Sequence, residues 1–302
     1  MDLSVNIGGI RMKNPVMVAS GTFGYGPEYA DLVDLDRLGA IVVKGISPKP
    51  VTGNPPMRTV ETFGGLINAI GLQNPGIEGF VRDYLPFLRR HDVPVIVNIW
   101  GRTAEEYEEV AAGFEEVEGI AALEVNVSCP NIKEGSCLFG SDPALFRKVV
   151  SAVRAKTRRP LIVKLAPDIS RIAQFARAAE ECGADAVSLI NSIPAMAIDI
   201  ETRRPKLGNV TGGLSGPAIR PIALKMVWEA ARAVRIPVIG IGGIACAADA
   251  IEFLLAGAQA VAVGTATFLN PVAAIEIADG IGNYLASKGM KGVGELAGGL
   301  YS

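Results

Sequence analysis

The chain has 302 residues, of which 49% are hydrophobic and 20% charged. This composition excludes an intrinsically disordered protein, because it supplies enough apolar side chains for a large core. The 29 Lys and Arg residues nearly balance the 31 Asp and Glu residues. The sequence contains no long run of residues of one charge. It therefore lacks the basic patch that a nucleic-acid-binding protein would be expected to carry.

Cysteine spacing and the N-terminal residues set further expectations. The four cysteines form no CxxC pair, so the sequence predicts neither a zinc nor an iron–sulfur site; they are Cys129, Cys137, Cys182 and Cys246. The first ten residues carry neither a basic nor an apolar leader segment, so we expect no signal peptide. The long uncharged stretch 253–275 is broken by glycine, asparagine and proline. A cytoplasmic protein with reduced thiols and no membrane span is expected.

Short apolar runs alternate with longer amphipathic segments along the whole chain. The runs are nearly continuous in apolar residues, which favours parallel strands buried on both faces. Strands are predicted at Pro15–Ser20, Ala40–Lys44, Pro94–Asn98, Ala122–Asn126, Pro160–Lys164, Ala186–Asn191, Pro237–Gly242 and Ala260–Gly264. Helices are predicted at Ala104–Val117, Asp142–Thr157, Ile172–Cys182, Ala218–Val234 and Ala247–Ala256.

Eight strand-plus-helix units indicate an α/β protein with a closed (β/α)8 TIM barrel, and we expect residues 1–302 to form a single domain. A doubly wound sheet is the alternative, although no GxGxxG turn follows the first strand. The opening residues predict a hairpin turned at Gly8-Gly9 that plugs the barrel bottom. Two long strand-end insertions, Gly45–Asn74 and Ser192–Pro217, are predicted to act as lids or ligand loops.

Polar residues and glycines stand where the predicted strands end. Active sites of such barrels lie at the carboxyl ends of the strands, so this pattern predicts a polar pocket there. The alternative is that the strand ends simply emerge into solvent. The residues are Ser20, Lys44, Asn98, Asn126, Lys164, Asn191-Ser192, Gly242-Gly243 and Gly264-Thr265. Glycines after the seventh and eighth strands further predict a phosphate site.

Two lysines and one cysteine narrow the chemistry. Lys44 and Lys164 suit an anionic substrate and an electron-rich cofactor ring, but a Schiff-base aldolase also uses such a lysine. Alternatively, both lysines extend to the rim of the barrel. Cys129 lies in a polar loop after the fourth strand, where a reactive thiol is expected. The single histidine, His91, precedes the third strand, so we expect no Cys–His pair. A non-catalytic binding barrel is a further alternative, which leaves these residues without a role.

The motifs at these strand ends identify a family resemblance. The chain resembles the catalytic subunits of class 1B dihydroorotate dehydrogenases from Asn6 to its final helix. The motifs are Val42–Pro50 (VVKGISPKP), Asn68–Gly76 (NAIGLQNPG), Asn126–Asn131 (NVSCPN), the lysine of IVKL, Leu189–Ser192 (LINS), Gly212–Ile219 (GGLSGPAI), Ile239–Ile244 (IGIGGI) and Val261–Ala266 (VAVGTA).

This resemblance implies a flavin mononucleotide (FMN) barrel that oxidises (S)-dihydroorotate to orotate in pyrimidine (UMP) biosynthesis. It implies that Cys129 is the catalytic base and that no metal is held. The implied substrate residues are Lys44, Asn68, Ala69, Ile70, Gly71, Leu72, Asn126, Asn191 and Ser192. The implied FMN residues are Ser20, Lys44, Gly45, Asn98, Asn126, Lys164, Ile190, Gly216, Gly242, Gly243, Gly264 and Thr265.

The resemblance also implies a partner. Electrons would pass to a second subunit carrying FAD and a [2Fe–2S] cluster and then to NAD, in a heterotetramer of two catalytic and two electron-transfer chains. Two other functions stay open, a dihydropyrimidine dehydrogenase-like flavin enzyme and a phosphosugar-binding lyase or aldolase. Asn131 and Lys44 favour a carboxylated pyrimidine over the former.

Overall fold

A computed structural model of the chain describes residues 1–127, 133–134, 137–168 and 170–301. Its centre is a closed barrel of eight parallel strands, each hydrogen-bonded to the next in chain order, with the last pairing to the first. The strands are β1 (Val16–Val18), β2 (Ala40–Ile46), β3 (Val95–Ile99), β4 (Ala122–Asn126), β5 (Leu161–Lys164), β6 (Ala186–Leu189), β7 (Val238–Ile241) and β8 (Ala260–Val263). The predicted (β/α)8 barrel is confirmed.

The barrel strands are apolar on both faces because both faces are covered. In β8, Ala260 and Ala262 belong to the apolar cluster that fills the barrel, whereas Val261 and Val263 pack in the cluster beneath the surrounding helices. Successive side chains of a strand point to opposite faces, so a doubly covered strand is continuously apolar. This burial explains why the sequence shows short apolar runs without alternation.

Helices surround the barrel and connect its strands. They are α1 (Gly76–Asp83), α2 (Leu85–Leu88), α3 (Ala104–Glu115), α4 (Pro143–Lys156), α5 (Ile172–Glu181), α6 (Arg220–Ala231), α7 (Ala247–Leu255), α8 (Ala266–Leu269) and α9 (Ala273–Ser287). The Asp142 carboxylate accepts from the backbone amides of Ala144 and Leu145, which begins α4 with an N-cap followed by proline.

The first strand-plus-helix unit differs from the expected pattern. Two 3-10 turns, Pro27–Tyr29 and Leu35–Arg37, connect β1 to β2 in place of an α-helix. The C-terminal helix α9 packs against β1 and α7. It therefore covers the part of the barrel that a first helix would cover.

The N-terminal hairpin is confirmed. Residues Val5–Ile7 pair with Ile10–Met12 around Gly8 and Gly9, whose φ angles of 57° and 98° lie in the left-handed region that glycine tolerates. The side chains of Ile7, Ile10 and Met12 are buried in the apolar cluster inside the barrel. The hairpin therefore fills the barrel from the end where the strands begin.

The two long insertions form one sheet together. Strands Thr59–Thr62 and Gly65–Asn68 come from the first insertion, and Ile193–Met196 and Thr211–Ser215 come from the second. They make a four-stranded antiparallel sheet in which Gly65–Asn68 pairs with Thr211–Ser215. Short strands pair Ile198–Asp199 with Arg204–Pro205 and Lys133–Glu134 with Cys137–Leu138. None of the helices in the described part of the chain is long and apolar enough to cross a membrane.

Candidate active site

The polar residues predicted at the strand ends gather at one end of the barrel, which we call the mouth. In the parallel register, Lys164 of β5 lies opposite Asn126 of β4, and Asn98 of β3 lies opposite Glu124 of β4. Asn98, Asn126 and Lys164 are all buried. Burying polar side chains costs free energy unless they form hydrogen bonds or ion pairs. Several buried polar side chains together at the mouth therefore indicate a binding site.

A β-bulge sets the position of Lys44 and Gly45. The register between β2 and β3 shifts between Val43 and Ile46, and a bulge of this kind redirects the side chains at the rim of a barrel. A Cβ atom on Gly45 would lie 2.7 Å from Oδ1 of Asn98 and 3.0 Å from the Trp100 ring. Glycine is therefore required there for Asn98 and Trp100 to approach the β2 backbone.

Lys44 is a half-buried cation beside a second cation. Burial lowers the pKa of the Lys44 ammonium below its ordinary value, the nearby Arg58 guanidinium lowers that pKa further, and Glu28 raises it. Arg58 is held by the backbone carbonyl of Asn54 and by Gln73, whose side-chain oxygen lies 2.5 Å from it. An anionic ligand at this position would relieve the repulsion between the two cations.

Lys164 is 5% exposed and extends into the barrel mouth. Its ammonium donates a hydrogen bond to the Ser20 hydroxyl at 3.3 Å. A neutral hydroxyl does not balance the charge of a buried ammonium, so Lys164 is suited to stabilise negative charge on a bound ligand.

Asn126 and Asn191 bring two amide side chains together. Nδ2 of Asn191 donates to Oδ1 of Asn126 at 3.4 Å, and Oδ1 of Asn191 accepts from the backbone amide of Ser192 at 2.7 Å. The Tyr107 hydroxyl donates to the backbone carbonyl of Asn126 at 2.7 Å, which fixes the end of β4. Amides offer both donors and acceptors, so this pair suits a flat ring that carries both kinds of group.

The segment from Asn68 to Leu72 is placed by the added sheet. Asn68 ends a strand of that sheet, and its Nδ2 donates to the carbonyl of Gly213 at 3.2 Å. A Cβ on Gly213 would clash with the Ser192 side chain, so Gly213 brings Asn68 and Ser192 to the same region. Leu72 has a φ of 58°, an uncommon conformation for a residue other than glycine.

Three glycines from two loops form a cradle of bare backbone. Gly216, Gly242 and Gly243 have φ angles of 98°, 134° and 73°. A Cβ on Gly243 would lie 2.8 Å from the Gly216 carbonyl oxygen. Close to them, the Thr265 hydroxyl donates to the Ser215 hydroxyl at 2.8 Å. Backbone amides in such a turn, next to helix N-termini, bind phosphate.

The predicted base, Cys129, lies outside the described residues, so its position relative to this site stays a prediction. His91 lines a groove with Arg11, Met12 and Lys13 of the N-terminal hairpin, at the opposite end of the barrel. Cys182 is partly buried at the end of α5, whereas Cys246 is exposed at the N-cap of α7.

Sequence reasoning missed a buried carboxylate in the barrel interior, just below the mouth. Glu124 is 2% exposed and accepts hydrogen bonds from Asn98 and from Ser188 of β6, at 2.6 and 2.7 Å. A signal was present, since Glu124 precedes Asn126 by two positions and therefore shares its face of the strand. A charged residue inside an otherwise apolar buried strand is rare unless it has partners.

The fold and this site define the class, a (β/α)8 barrel with a glycine cradle and a polar, cation-containing mouth. The family model of dihydroorotate dehydrogenase matches residues 2–285. The chain is 57% identical to the "dihydroorotate dehydrogenase B (NAD(+)), catalytic subunit" of Geotalea uraniireducens and 56% identical to that of Geobacter sulfurreducens. Each match covers 99% of this chain and 98% of the relative.

The chain therefore belongs to the dihydroorotate dehydrogenase family, a family of flavin-dependent oxidoreductases. This finding confirms the resemblance inferred from the strand-end motifs. It also decides against a phosphosugar lyase or aldolase, and against a non-catalytic barrel.

Proposed function

We propose that this chain is the catalytic subunit of a dihydroorotate dehydrogenase that oxidises (S)-dihydroorotate to orotate in pyrimidine biosynthesis. The observation that carries the proposal is the joint placement of a buried cation, Lys164, an amide pair, Asn126 and Asn191, and a second cation, Lys44, at one barrel mouth. Family membership over nearly the whole chain supports it. Residues 1–302 act as one FMN-binding domain.

The residues present fit FMN, which we propose as the single flavin of this chain. The glycine cradle offers backbone amides to one phosphate. Oδ1 of Asn98 is buried without a hydrogen-bond partner in the described part of the chain, so it offers an acceptor to a flavin ring. Lys164 supplies a cation for the reduced ring. The proposed FMN residues are Ser20, Lys44, Gly45, Asn98, Asn126, Lys164, Ile190, Gly216, Gly242, Gly243, Gly264 and Thr265.

The substrate side follows from charge and hydrogen-bonding capacity. Lys44 is proposed to hold the substrate carboxylate, and asparagine amides to bind the polar edges of the pyrimidine ring. Asn68, Ala69, Ile70, Gly71 and Leu72 form the wall that the added sheet positions. Asn126, Asn191 and Ser192 complete the proposed substrate residues.

The reaction needs a base and a hydride acceptor. Cys129, as a thiolate, is proposed to remove the C5 proton alpha to the C4 carbonyl, and the pair of electrons left behind forms the C5–C6 double bond as hydride leaves C6. Bound FMN supplies the hydride acceptor. Lys44 and the asparagines hold the substrate ring in place while the proton leaves.

We further propose that electrons leave this chain through a partner subunit. The relatives are named as catalytic subunits of NAD(+) enzymes, which supports an electron-transfer chain as partner and NAD as the final acceptor. The FAD and [2Fe–2S] cluster of that partner, and a heterotetramer of two catalytic and two electron-transfer chains, stay predictions from the resemblance. A cytoplasmic location also stays a prediction.

The test is anaerobic reduction of the flavin-loaded chain, followed by the flavin absorbance. Dihydroorotate should bleach the flavin, and the flavin extracted from the chain should be FMN. Dihydrouracil, which lacks the carboxylate, should react far more slowly, since it leaves Lys44 without a partner. Extraction of FAD alone would contradict the cofactor assignment. Equal rates with the two substrates would favour a dihydropyrimidine dehydrogenase-like enzyme.

A further inference from the structure

Glu124 lies in the barrel interior, below the residues proposed to bind ligands. It stands on β4 two positions before Asn126, so both side chains point into the barrel. Only 2% of the residue is exposed. A carboxylate so deeply buried is costly unless it is hydrogen-bonded, so its partners indicate what it does.

The two partners of Glu124 come from two other strands. One carboxylate oxygen accepts from Nδ2 of Asn98 at 2.6 Å, and the other accepts from the Ser188 hydroxyl at 2.7 Å. A carboxylate offers acceptors only, so Asn98 must turn its NH2 group toward Glu124. The hydrogen bond to Glu124 therefore sets the orientation of the Asn98 amide, with its oxygen on the side opposite the carboxylate.

The edge of Asn98 that faces away is its carbonyl oxygen. Oδ1 is buried and has no hydrogen-bond partner among the described residues. It faces the backbone of Gly45, where a Cβ atom would lie only 2.7 Å away. A buried acceptor without a hydrogen-bond partner destabilises the folded protein. A hydrogen-bond donor on a bound ligand would therefore satisfy this oxygen.

We propose that Glu124 is a positioning residue for the cofactor: it orients the amide of Asn98 so that Oδ1 accepts a hydrogen bond from an N–H group of the flavin ring. This inference rests on the proposed function, because it requires a flavin at the mouth. Without Glu124, the amide is free to rotate and present its NH2 group to the ring. The effect falls on the binding and electronic properties of the flavin, with no proton transfer involved.

The first test measures FMN affinity of the apoprotein by quenching of flavin fluorescence, together with the flavin midpoint potential. Glu124→Met keeps the side-chain length but removes the acceptors, and should weaken FMN binding about tenfold, as expected for one lost hydrogen bond, and shift the potential. Glu124→Gln should stay within about threefold of wild type, since its carbonyl accepts from Asn98 and its amide donates to Ser188. Ser188→Ala is the matched control, because it removes the other hydrogen bond of Glu124 and leaves Asn98 oriented.

A second test does not depend on how well Glu124→Met folds. Asn98→Asp places two carboxylates face to face and should weaken FMN binding strongly. Adding Glu124→Gln should restore binding at least about tenfold, since the new amide donates to Asp and leaves an acceptor for the ring.

Wild-type affinity and potential in a folded Glu124→Met variant would overturn the proposal. So would a double variant that melts like wild type but shows no recovery of FMN binding. A wild-type chain that binds no FMN would instead overturn the proposed function itself, and this inference with it.

Discussion

The ammonium of Lys164 donates to the hydroxyl of Ser20 at 3.3 Å, although the two residues end strands on opposite sides of the barrel. Three strands separate β1 from β5 in either direction around the closed sheet. The lysine side chain therefore crosses the barrel interior and places a cation above the apolar cluster that fills it. Lys164 is 5% exposed, so this cation is buried at the mouth.

Replacing that cation tests its role toward the flavin. Lys164→Met should weaken FMN binding at least about tenfold and lower the flavin midpoint potential, because the reduced ring loses its balancing charge. FMN titration and spectroelectrochemistry measure the two effects. Ser20→Ala is the control, since it removes the hydrogen-bond acceptor and keeps the ammonium. Equal effects of the two changes on the potential would show that the charge is not what matters.

Lys44 predicts a pH dependence of orotate binding. The carboxylate binds the charged ammonium, so affinity should fall as pH rises through the pKa of Lys44. Burial and Arg58 lower this pKa, so the fall should begin below the value of about 10.4 that is ordinary for lysine. Orotate titrations at a series of pH values give the midpoint.

Two variants test whether the neighbouring charges shift the pKa of Lys44 in the expected directions. Arg58→Gln removes a neighbouring cation and should move the midpoint of orotate binding to higher pH by raising the pKa of Lys44. Glu28→Gln removes a neighbouring carboxylate and should move the midpoint to lower pH. One common midpoint for wild type and both variants would assign the pH dependence to another group.

The glycine cradle predicts a loss of flavin when it gains a side chain. Gly243→Ala places a Cβ 2.8 Å from both the Gly216 carbonyl and Arg220, at a φ of 73°, so FMN affinity should fall at least about tenfold. Gly289→Ala is the matched control, with a φ of 67° and no atom within 4 Å. It should cost about 1 kcal/mol of unfolding free energy and leave FMN binding unchanged. Similar flavin loss in both variants would point to backbone strain alone.

Cys129 predicts a large effect on the chemical step only. Cys129→Ala should bind FMN and orotate normally, but flavin reduction by dihydroorotate should slow by about 10²–10⁴-fold, the usual contribution of a positioned base. Cys129→Ser should keep a little activity, shifted to higher pH. Stopped-flow absorbance measures the half-reaction, and Cys246→Ala serves as the exposed-cysteine control. Near wild-type reduction by Cys129→Ala would assign the base to another group, and a stable adduct on Cys129 would make it a nucleophile.

The sequence alone determined the barrel, the plugging hairpin and the residues at the strand ends. These features depend on local patterns: apolar runs of strand length, helix caps such as Asp142, and a glycine pair at the hairpin turn. The strand-end residues follow because all parallel strands of a barrel end at one mouth. The expectation of eight strand-plus-helix units has one exception, since two 3-10 turns connect β1 to β2 and α9 packs against β1.

Only the tertiary structure decided how distant segments meet. The two long insertions pair as one sheet, in which Asn68 bonds to Gly213, 145 positions away. Each insertion forms its own hairpin, but the inner strand of each leaves one edge unpaired until the other hairpin is beside it. The orientation of the Asn98 amide by Glu124 is of the same kind, since it arises between residues on different strands. Local sequence patterns indicate periodicity and turns. Contacts between residues on different strands form only when the chain folds, so the local patterns do not predict them.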